Sequence, residues 1–278
     1  MRERLSRTDA IIIRRGVLGE ADRLLTILTP TGKRRVVARG ARKITSRIAG
    51  HIELFNHVHL QLAEGRSLDI VTQSSIIDGF VRLRTDLAGI GGAYYIAELI
   101  DRLSELDVDD PALFRVVRDA LRAIDRGAAI GVTLRWYELH ALERLGYRPE
   151  LHHCVRCGVL LDERACQLDP GAGGMCCPAC AMHVAGGLTL SLACFKVLRF
   201  LQAQPIDQAL VPRVSAATGT EAERAMSLIL QQLLSRDLAS RAFLAEANRG
   251  PAGQPVADTR EWRRGTDNGV HRHTSESW

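Results

Sequence analysis

Two pairs of cysteines carry the strongest chemical signal in the chain. Two residues separate Cys154 from Cys157, two separate Cys177 from Cys180, and 19 lie between the pairs. Two thiolates on one tight knuckle can share a cation, and a second knuckle completes a tetrahedron; C-x2-C-x15–20-C-x2-C is a zinc spacing. Four sulfur ligands leave no open coordination position, so the cofactor expected is one structural Zn2+ with no part in chemistry. Gly158 falls where the first knuckle needs a relaxed backbone, and Gly171, Gly173 and Gly174 let the chain turn back. The expected ligands are Cys154, Cys157, Cys177 and Cys180. Cys176 and the nearby His152, His153 and His183 stand as alternatives, and Cys166 and Cys194 read as small core residues. All seven cysteines lie between residues 154 and 194, which suits a metal site in a reducing compartment better than a secreted disulfide frame.

A second signal is basic. Lys33, Arg34, Arg35, Arg39, Arg42, Lys43 and Arg47 fall within 15 residues that contain no acid, and Arg14, Arg15 and Arg23 precede them. Presented on one side of a small domain, such charges track phosphates and release counterions. The candidate nucleic-acid-binding residues are therefore Arg14, Arg34, Arg35, Arg39, Arg42, Lys43 and Arg47. Before Phe80 the only aromatic ring other than histidine is Phe55, so a stacking platform is thin. Binding that holds the backbone without reading sequence follows, and it leaves the bases available to pair.

Catalytic signatures are missing. Thr31-Gly32-Lys33-Arg34 lacks the first glycine of a P-loop, and there is no G-x-S-x-G, no H-E-x-x-H and no convincing acid pair. His51-Ile52-Glu53 fits the H-x-E half of a zinc deaminase, but the second cysteine pair lies over 120 residues away with its proline inside the pair, at Pro178. The chain is expected not to be an enzyme.

These residues sit on two kinds of element. Up to Phe80 the pattern is of strands: Thr8 to Arg14, Arg23 to Thr29, Arg34 to Arg39, His57 to Leu62 and Leu68 to Ile77. Thr29-Pro30-Thr31-Gly32-Lys33 reads as a turn, and a long loop runs from Gly40 to Glu53. Five short strands in about 80 residues predict a small barrel. After Phe80 the apolar period becomes 3.6. Ile96, Leu99, Ile100 and Leu103 mark one helix. Asp110-Pro111 caps a second, with Leu113, Val117, Leu121 and Ile124 on its stripe. Leu134, Tyr137, Ala141 and Leu145 mark a third, ended by Gly146. Helices resume at Leu192 to Leu201 and around Met226 to Leu233.

The expected organisation is α+β and multidomain: a five-stranded barrel over 1–80, an all-α domain over 81–246 with a zinc finger inserted at about 151–184, and a tail over 247–278. The tail is too poor in apolar residues to offset its ordering entropy, so disorder is expected there. With 46% hydrophobic residues the 278-residue chain can bury real cores. No apolar run approaches the roughly 18–20 residues of a membrane span. The charged start leads into a strand-like run and not a signal-peptide core. A cytoplasmic protein is expected. The net charge of +5 is unevenly spread. Residues 1–80 hold 14 basic and 8 acidic side chains, residues 81–246 hold 18 and 20, and residues 247–278 hold 5 and 4. The excess belongs to the barrel.

Taken in order, several segments resemble the bacterial RecO family of recombination mediators. They are Thr8-Asp9-Ala10-Ile11-Ile12-Ile13 with Gly19-Glu20-Ala21-Asp22-Arg23, Gly32-Lys33 with Ala38 to Lys43, and the helix Ala93 to Leu103. Gly146-Tyr147-Arg148-Pro149 before Cys154 and Cys157-Gly158 is the most specific, with Gly173-Gly174 before Cys177 and Cys180; Arg236 to Leu244 closes the resemblance. It covers nearly all of residues 5–246. It implies an OB-fold barrel, a helical domain carrying a zinc finger, and a role in RecF-pathway repair. It also implies binding of single- and double-stranded DNA, ATP-independent annealing, contact with RecR and with the tail of the single-strand binding protein, help in loading RecA, and a nucleoid-associated location in the cytoplasm. A zinc-ribbon transcription or RNA-binding factor is the alternative.

Overall fold

The computed structural model describes residues 5–162, 166–234 and 238–247; the expected disorder beyond Ala247 concerns residues outside this set. Five strands, β1 (Leu5–Leu18), β2 (Asp22–Thr29), β3 (Gly32–Ala38), β4 (His57–Ala63) and β5 (Asp69–Asp78), close into a barrel in the order β1-β2-β3-β5-β4. Neighbours are antiparallel except the β3–β5 pair, so the barrel has the five-stranded OB arrangement. β1 outruns the expected Thr8–Arg14 at both ends because it serves two partners. Leu5–Ile11 pairs with β4 and Ile11–Leu18 with β2, with a register shift between Ile12 and Arg14.

That strand explains the Ile11-Ile12-Ile13 run. Ala10 and Ile12 point into the barrel beside Leu25, Ile27, Val36, Val58 and Leu60. Ile11 and Ile13 point the other way and join Leu28 in the core of the helical domain. A strand wetted on one face would alternate apolar with polar residues; this one is dry on both.

Beyond a short 3-10 turn (Leu83–Thr85) come α1 (Leu87–Leu103), α2 (Pro111–Asp125) and α3 (Ile130–Arg144). α2 begins where its signal places it: the Asp110 carboxylate accepts from the Ala112 and Leu113 amides at 3.0 and 2.9 Å, with proline at the first position. Tyr95 of α1 donates to Glu138 of α3, which Arg135 also meets, so a buried polar knot joins these helices. Burial raises the Glu138 carboxyl above the usual range, against the pull of Arg135. The insert holds a three-stranded sheet that the periodicity did not reveal, its strands being three or four residues long: β6 (Cys166–Asp169), β7 (Gly174–Cys176) and β8 (Leu188–Leu190), with α4 (Pro178–Ala181) between the last two. α5 (Leu192–Ala203), α6 (Ile206–Ala209), α7 (Ala216–Leu233) and α8 (Ala239–Ala247) complete the helical domain. Among the described residues no helix is long and apolar enough to cross a membrane.

The two units meet at several polar contacts. The β2–β3 turn docks on the α1–α2 connection, where Lys33 donates through Nζ to the Asp101 carbonyl at 2.6 Å and its O accepts from Asp107 N at 2.9 Å. Gly32, at φ +104°, has no room for a side chain; a Cβ there would lie 2.5 Å from the Val108 carbonyl oxygen. Arg84 reaches back to the Leu54 carbonyl and the Asn56 side chain at 2.5 and 2.7 Å.

α8 is fastened by one carboxylate. Glu98 of α1, 6% exposed, accepts from the backbone amides of Ala239 and Ser240 at 3.0 and 2.8 Å and from the Ser240 hydroxyl at 2.6 Å, and pairs with Arg102 at 2.6 Å. An acid on the first amides of a helix satisfies donors that have no partner within it. Glu98→Ala takes the acceptor from three donors of α8 at once and is expected to lower stability by about 2–3 kcal/mol in denaturant titration. Hydrogen exchange should quicken first at Ala239 and Ser240; unchanged protection there would show that α8 docks without the carboxylate.

Candidate metal centre and nucleic-acid interface

The first knuckle is a turn between paired segments. Leu161 donates to the His152 carbonyl and Cys154 to that of Val159, both at 2.8 Å, and Gly158 donates back to Cys154 at 2.8 Å. Gly158 has φ +74°, the left-handed geometry that the knuckle needs and that a glycine takes without strain. The second knuckle opens α4: Cys177 precedes Pro178, and its carbonyl accepts from Cys180 and Ala181. The segments are stitched together by Val155 donating to Met175 and Met175 to Glu150, at 3.0 and 2.8 Å. Asp169, 6% exposed, takes two bonds from the Arg156 guanidinium at 3.0 and 2.8 Å and ties the first knuckle to the β6–β7 turn. Sequence reading missed Arg156 and Asp169; the only signal was the Asp169-Pro170-Gly171 turn.

The four expected sulfurs converge. Those of Cys154, Cys157, Cys177 and Cys180 lie within 4.8 Å of one another, the one such group of potential metal ligands among the described residues. Cys157 and Cys177 are 3.7 Å apart, against the edge of about 3.8 Å for a tetrahedron of sulfurs at about 2.3 Å from zinc. The alternatives are occupied elsewhere. Cys176 is fully buried in the core and burial pushes its thiol up to about 11; Cys194 is likewise buried and pushed up to about 12. His152 accepts from Arg199 at 2.7 Å, and burial with that guanidinium lowers its ring below the usual imidazole range. His153 and His183 are exposed and outside the cluster.

The donor set calls for a cation. Burial would raise the Cys154 thiol, but the amides of Cys177, Cys157 and Arg156 outweigh it and bring the thiol down to about 6. Cys180 goes the other way, to about 12, because Cys157 and Cys177 crowd its sulfur. Four thiolates this close ionise together only around a metal ion.

The basic set divides. Arg39, Arg42, Lys43 and Arg47 occupy the loop between β3 and β4, all exposed, with no acid between Arg39 and Ala49. The loop is anchored: Arg42 donates through its amide to Ala21 at 2.9 Å and through Nη1 to the carbonyls of Gly19 and Glu20 at 3.1 and 2.9 Å. The Asp22 carboxylate accepts from Gly40 at 2.8 Å. Arg35 is exposed on β3, in one row with Thr26 and Arg14 across three strands. Arg14 and Arg34 instead face the helical domain, pairing with Asp101 at 3.4 Å and Asp107 at 3.7 Å. Lys33 is buried at that boundary; burial lowers its ammonium, Asp101 opposes, and Arg35 and Arg14 add to the lowering. Nothing in the local sequence announced these acids, which lie over 65 residues away.

Two further expectations resolve simply. Phe55 is 4% exposed and packs edge-on against Tyr94, so it offers no platform to a base. The H-x-E motif falls apart: His51 bonds to Ser74, Glu53 pairs with Arg15, and Ile52 is buried.

Comparison with known proteins agrees with this architecture. Residues 1–80 match the family described as Recombination protein O N terminal, and residues 84–242 match Recombination protein O C terminal. The chain is 52% identical over 270 residues to a DNA repair protein RecO of Roseiflexus sp. (strain RS-1), covering 95% of each chain. It is 37% identical over 246 residues to that of Nocardioides sp. (strain ATCC BAA-499 / JS614), covering 86% of this chain and 99% of the relative. It is 32% identical over 244 residues to that of Dehalococcoides mccartyi (strain ATCC BAA-2266 / KCTC 15142 / 195), covering 87% and 96%.

Because neighbouring amides bring the Cys154 thiol down to about 6, loading the metal-free chain at pH 7.5 is expected to release fewer than four protons per ion. A titration followed with a pH indicator counts them. Release of all four would show that the amides do not hold Cys154 as a thiolate.

Proposed function

The chain belongs to the RecO family, and on that premise we propose that it is a non-catalytic recombination mediator in RecF-pathway repair. In this reading it binds single- and double-stranded DNA without sequence preference, anneals complementary strands without ATP and helps load RecA on gaps coated by single-strand binding protein. The observation that carries it is the anchored, acid-free loop of Arg39, Arg42, Lys43 and Arg47 at the rim of a five-stranded barrel. Cations on such a loop neutralise phosphates. With Phe55 buried, the barrel holds the backbone and the Watson–Crick edges stay free for a second strand. RecR and the tail of the single-strand binding protein are proposed partners on family grounds alone. A cytoplasmic, nucleoid-associated location follows from the same reading.

The four cysteines are proposed to hold one Zn2+. When bound, the ion supplies no reaction chemistry: with all four positions filled by sulfur it fixes the two knuckles and the sheet between them. Purified protein is expected to carry one zinc per chain by elemental analysis. Cys157→Ser is expected to lose it and to lower the melting temperature. Full-length protein without stoichiometric zinc, expressed with zinc present, would sink this assignment.

An annealing assay with complementary oligonucleotides, with and without single-strand binding protein, tests the main reading; a chain that binds DNA without speeding annealing would refute it. The arginines should also sort by position. Replacing Arg39, Lys43 and Arg47 by Ala is expected to flatten the logarithmic salt dependence of single-strand binding by about 0.7 for each phosphate no longer neutralised. Arg14→Ala, which breaks a pair with Asp101, is expected to leave the slope unchanged and cost stability. Equal slopes for the triple variant and the wild type would remove the loop from the DNA surface.

A further inference from the structure

The cationic loop carries one residue that the phosphate-binding reading does not use. Its aliphatic side chains are Ala41, Ile44, Ile48, Ala49 and Ile52. Ala41 is 3% exposed and Ile52 fully buried, and Ile48 packs against the barrel core. Ile44 is 105% exposed, the most exposed large apolar side chain among the described residues. The chain around it is held in place: Lys43 donates to Gly40 at 3.1 Å and Ser46 to Lys43 at 3.0 Å, one residue before and two after. A β-branched side chain has few rotamers, so Ile44 stands as a short, stiff apolar post. Arg42 and Lys43 precede it and Arg47 follows.

We propose that Ile44 contacts bases: its side chain lies on the ring face of an unpaired base while Lys43 and the neighbouring arginines hold the phosphates. The inference rests on the DNA-binding reading and deepens it. Each nucleotide of a single strand repeats one phosphate and one base with an apolar face, and the adjacent Lys43–Ile44 pair offers a partner to each. An aliphatic contact on the ring face makes no hydrogen bond, so it is indifferent to sequence and leaves the Watson–Crick edge open to a complementary strand. It also supplies an apolar contact to bases on a barrel whose one candidate ring, Phe55, is buried.

The test compares two probes of equal length and charge, an oligodeoxythymidine and an oligomer of abasic sites, bound to the full chain. Ile44→Ser is expected to weaken oligodeoxythymidine binding by about three- to tenfold, the value of partly burying one aliphatic side chain, without altering the salt slope. On the abasic oligomer it should change nothing. Lys43→Ala should weaken both and flatten both slopes. Ile44 is fully exposed among the described residues, so the melting temperature of Ile44→Ser should match the wild type. As a second readout, the fluorescence of Ile44→Trp should be quenched by oligodeoxythymidine and not by the abasic oligomer. Equal losses on the two probes, or none on either, would overturn the proposal while leaving the phosphate reading intact. Failure of the wild type to bind either probe would overturn both.

Discussion

One strand has no wet face in its middle, and the molecule is arranged around that fact. Ala10 and Ile12 fill the barrel while Ile11 and Ile13 fill the helical core, so β1 belongs to both units at once. Burying an isoleucine side chain is worth about 2–3 kcal/mol, and the barrel without the helical domain would expose two of them, Ile11 and Ile13. Phe55 against Tyr94, and His57 against Phe114, extend the same seam. Polar groups close it: Lys33 and Arg14 on Asp101, Arg34 on Asp107, Arg122 on Asp78. The barrel therefore does not swing on a tether; its orientation is set by shared packing.

That packing decides which cations face solvent. β2 and β3 pair from Arg23 with Ala38 at one end to Thr29 with Gly32 at the other, a span of roughly 20 Å. The Gly32 end is pressed onto the α1–α2 connection. The Ala38 end carries the β1–β2 turn and the start of the basic loop, which Arg42 and Asp22 tie together. Lys33 and Arg34 near the first end are engaged by acids of the same chain, and Arg39, Lys43 and Arg47 at the second are exposed. The cysteine cluster lies in neither region. It sits in an insert between α3 and α5, where the two knuckles and a three-stranded sheet pack Met175 and Cys176 into the helical core.

Much of this was legible in the sequence because the signals were local. Strand alternation, the Asp110-Pro111 cap, the turn at Pro30-Thr31-Gly32 and the cysteine spacing each depend on residues within a few positions of one another. What escaped depends on distance along the chain. Arg14, Arg34 and Arg39 are alike as letters, and only the acids at 101 and 107 separate the first two from the third. The second face of β1 was hidden for a related reason: three isoleucines in a row state that both faces are buried without saying by what. The sheet of the insert was missed because strands of three or four residues show no period.

The fastening of α8 has a consequence for the order in which the molecule is made. The carboxylate of Glu98 waits for amides at Ala239 and Ser240, 141 and 142 residues later. At about 5–20 residues per second a ribosome needs roughly seven to thirty seconds to cover that stretch. Throughout that interval α1 is complete, yet the side of it that receives α8, around Gly91, lacks Phe243 and Leu244. The barrel and the first three helices can assemble meanwhile, since β1 needs only what precedes residue 145. A chain without its last described helix would thus be held permanently at a stage the intact chain passes through during synthesis. Its acid and its apolar seam would stay open, which makes α8 the piece that closes this side of α1.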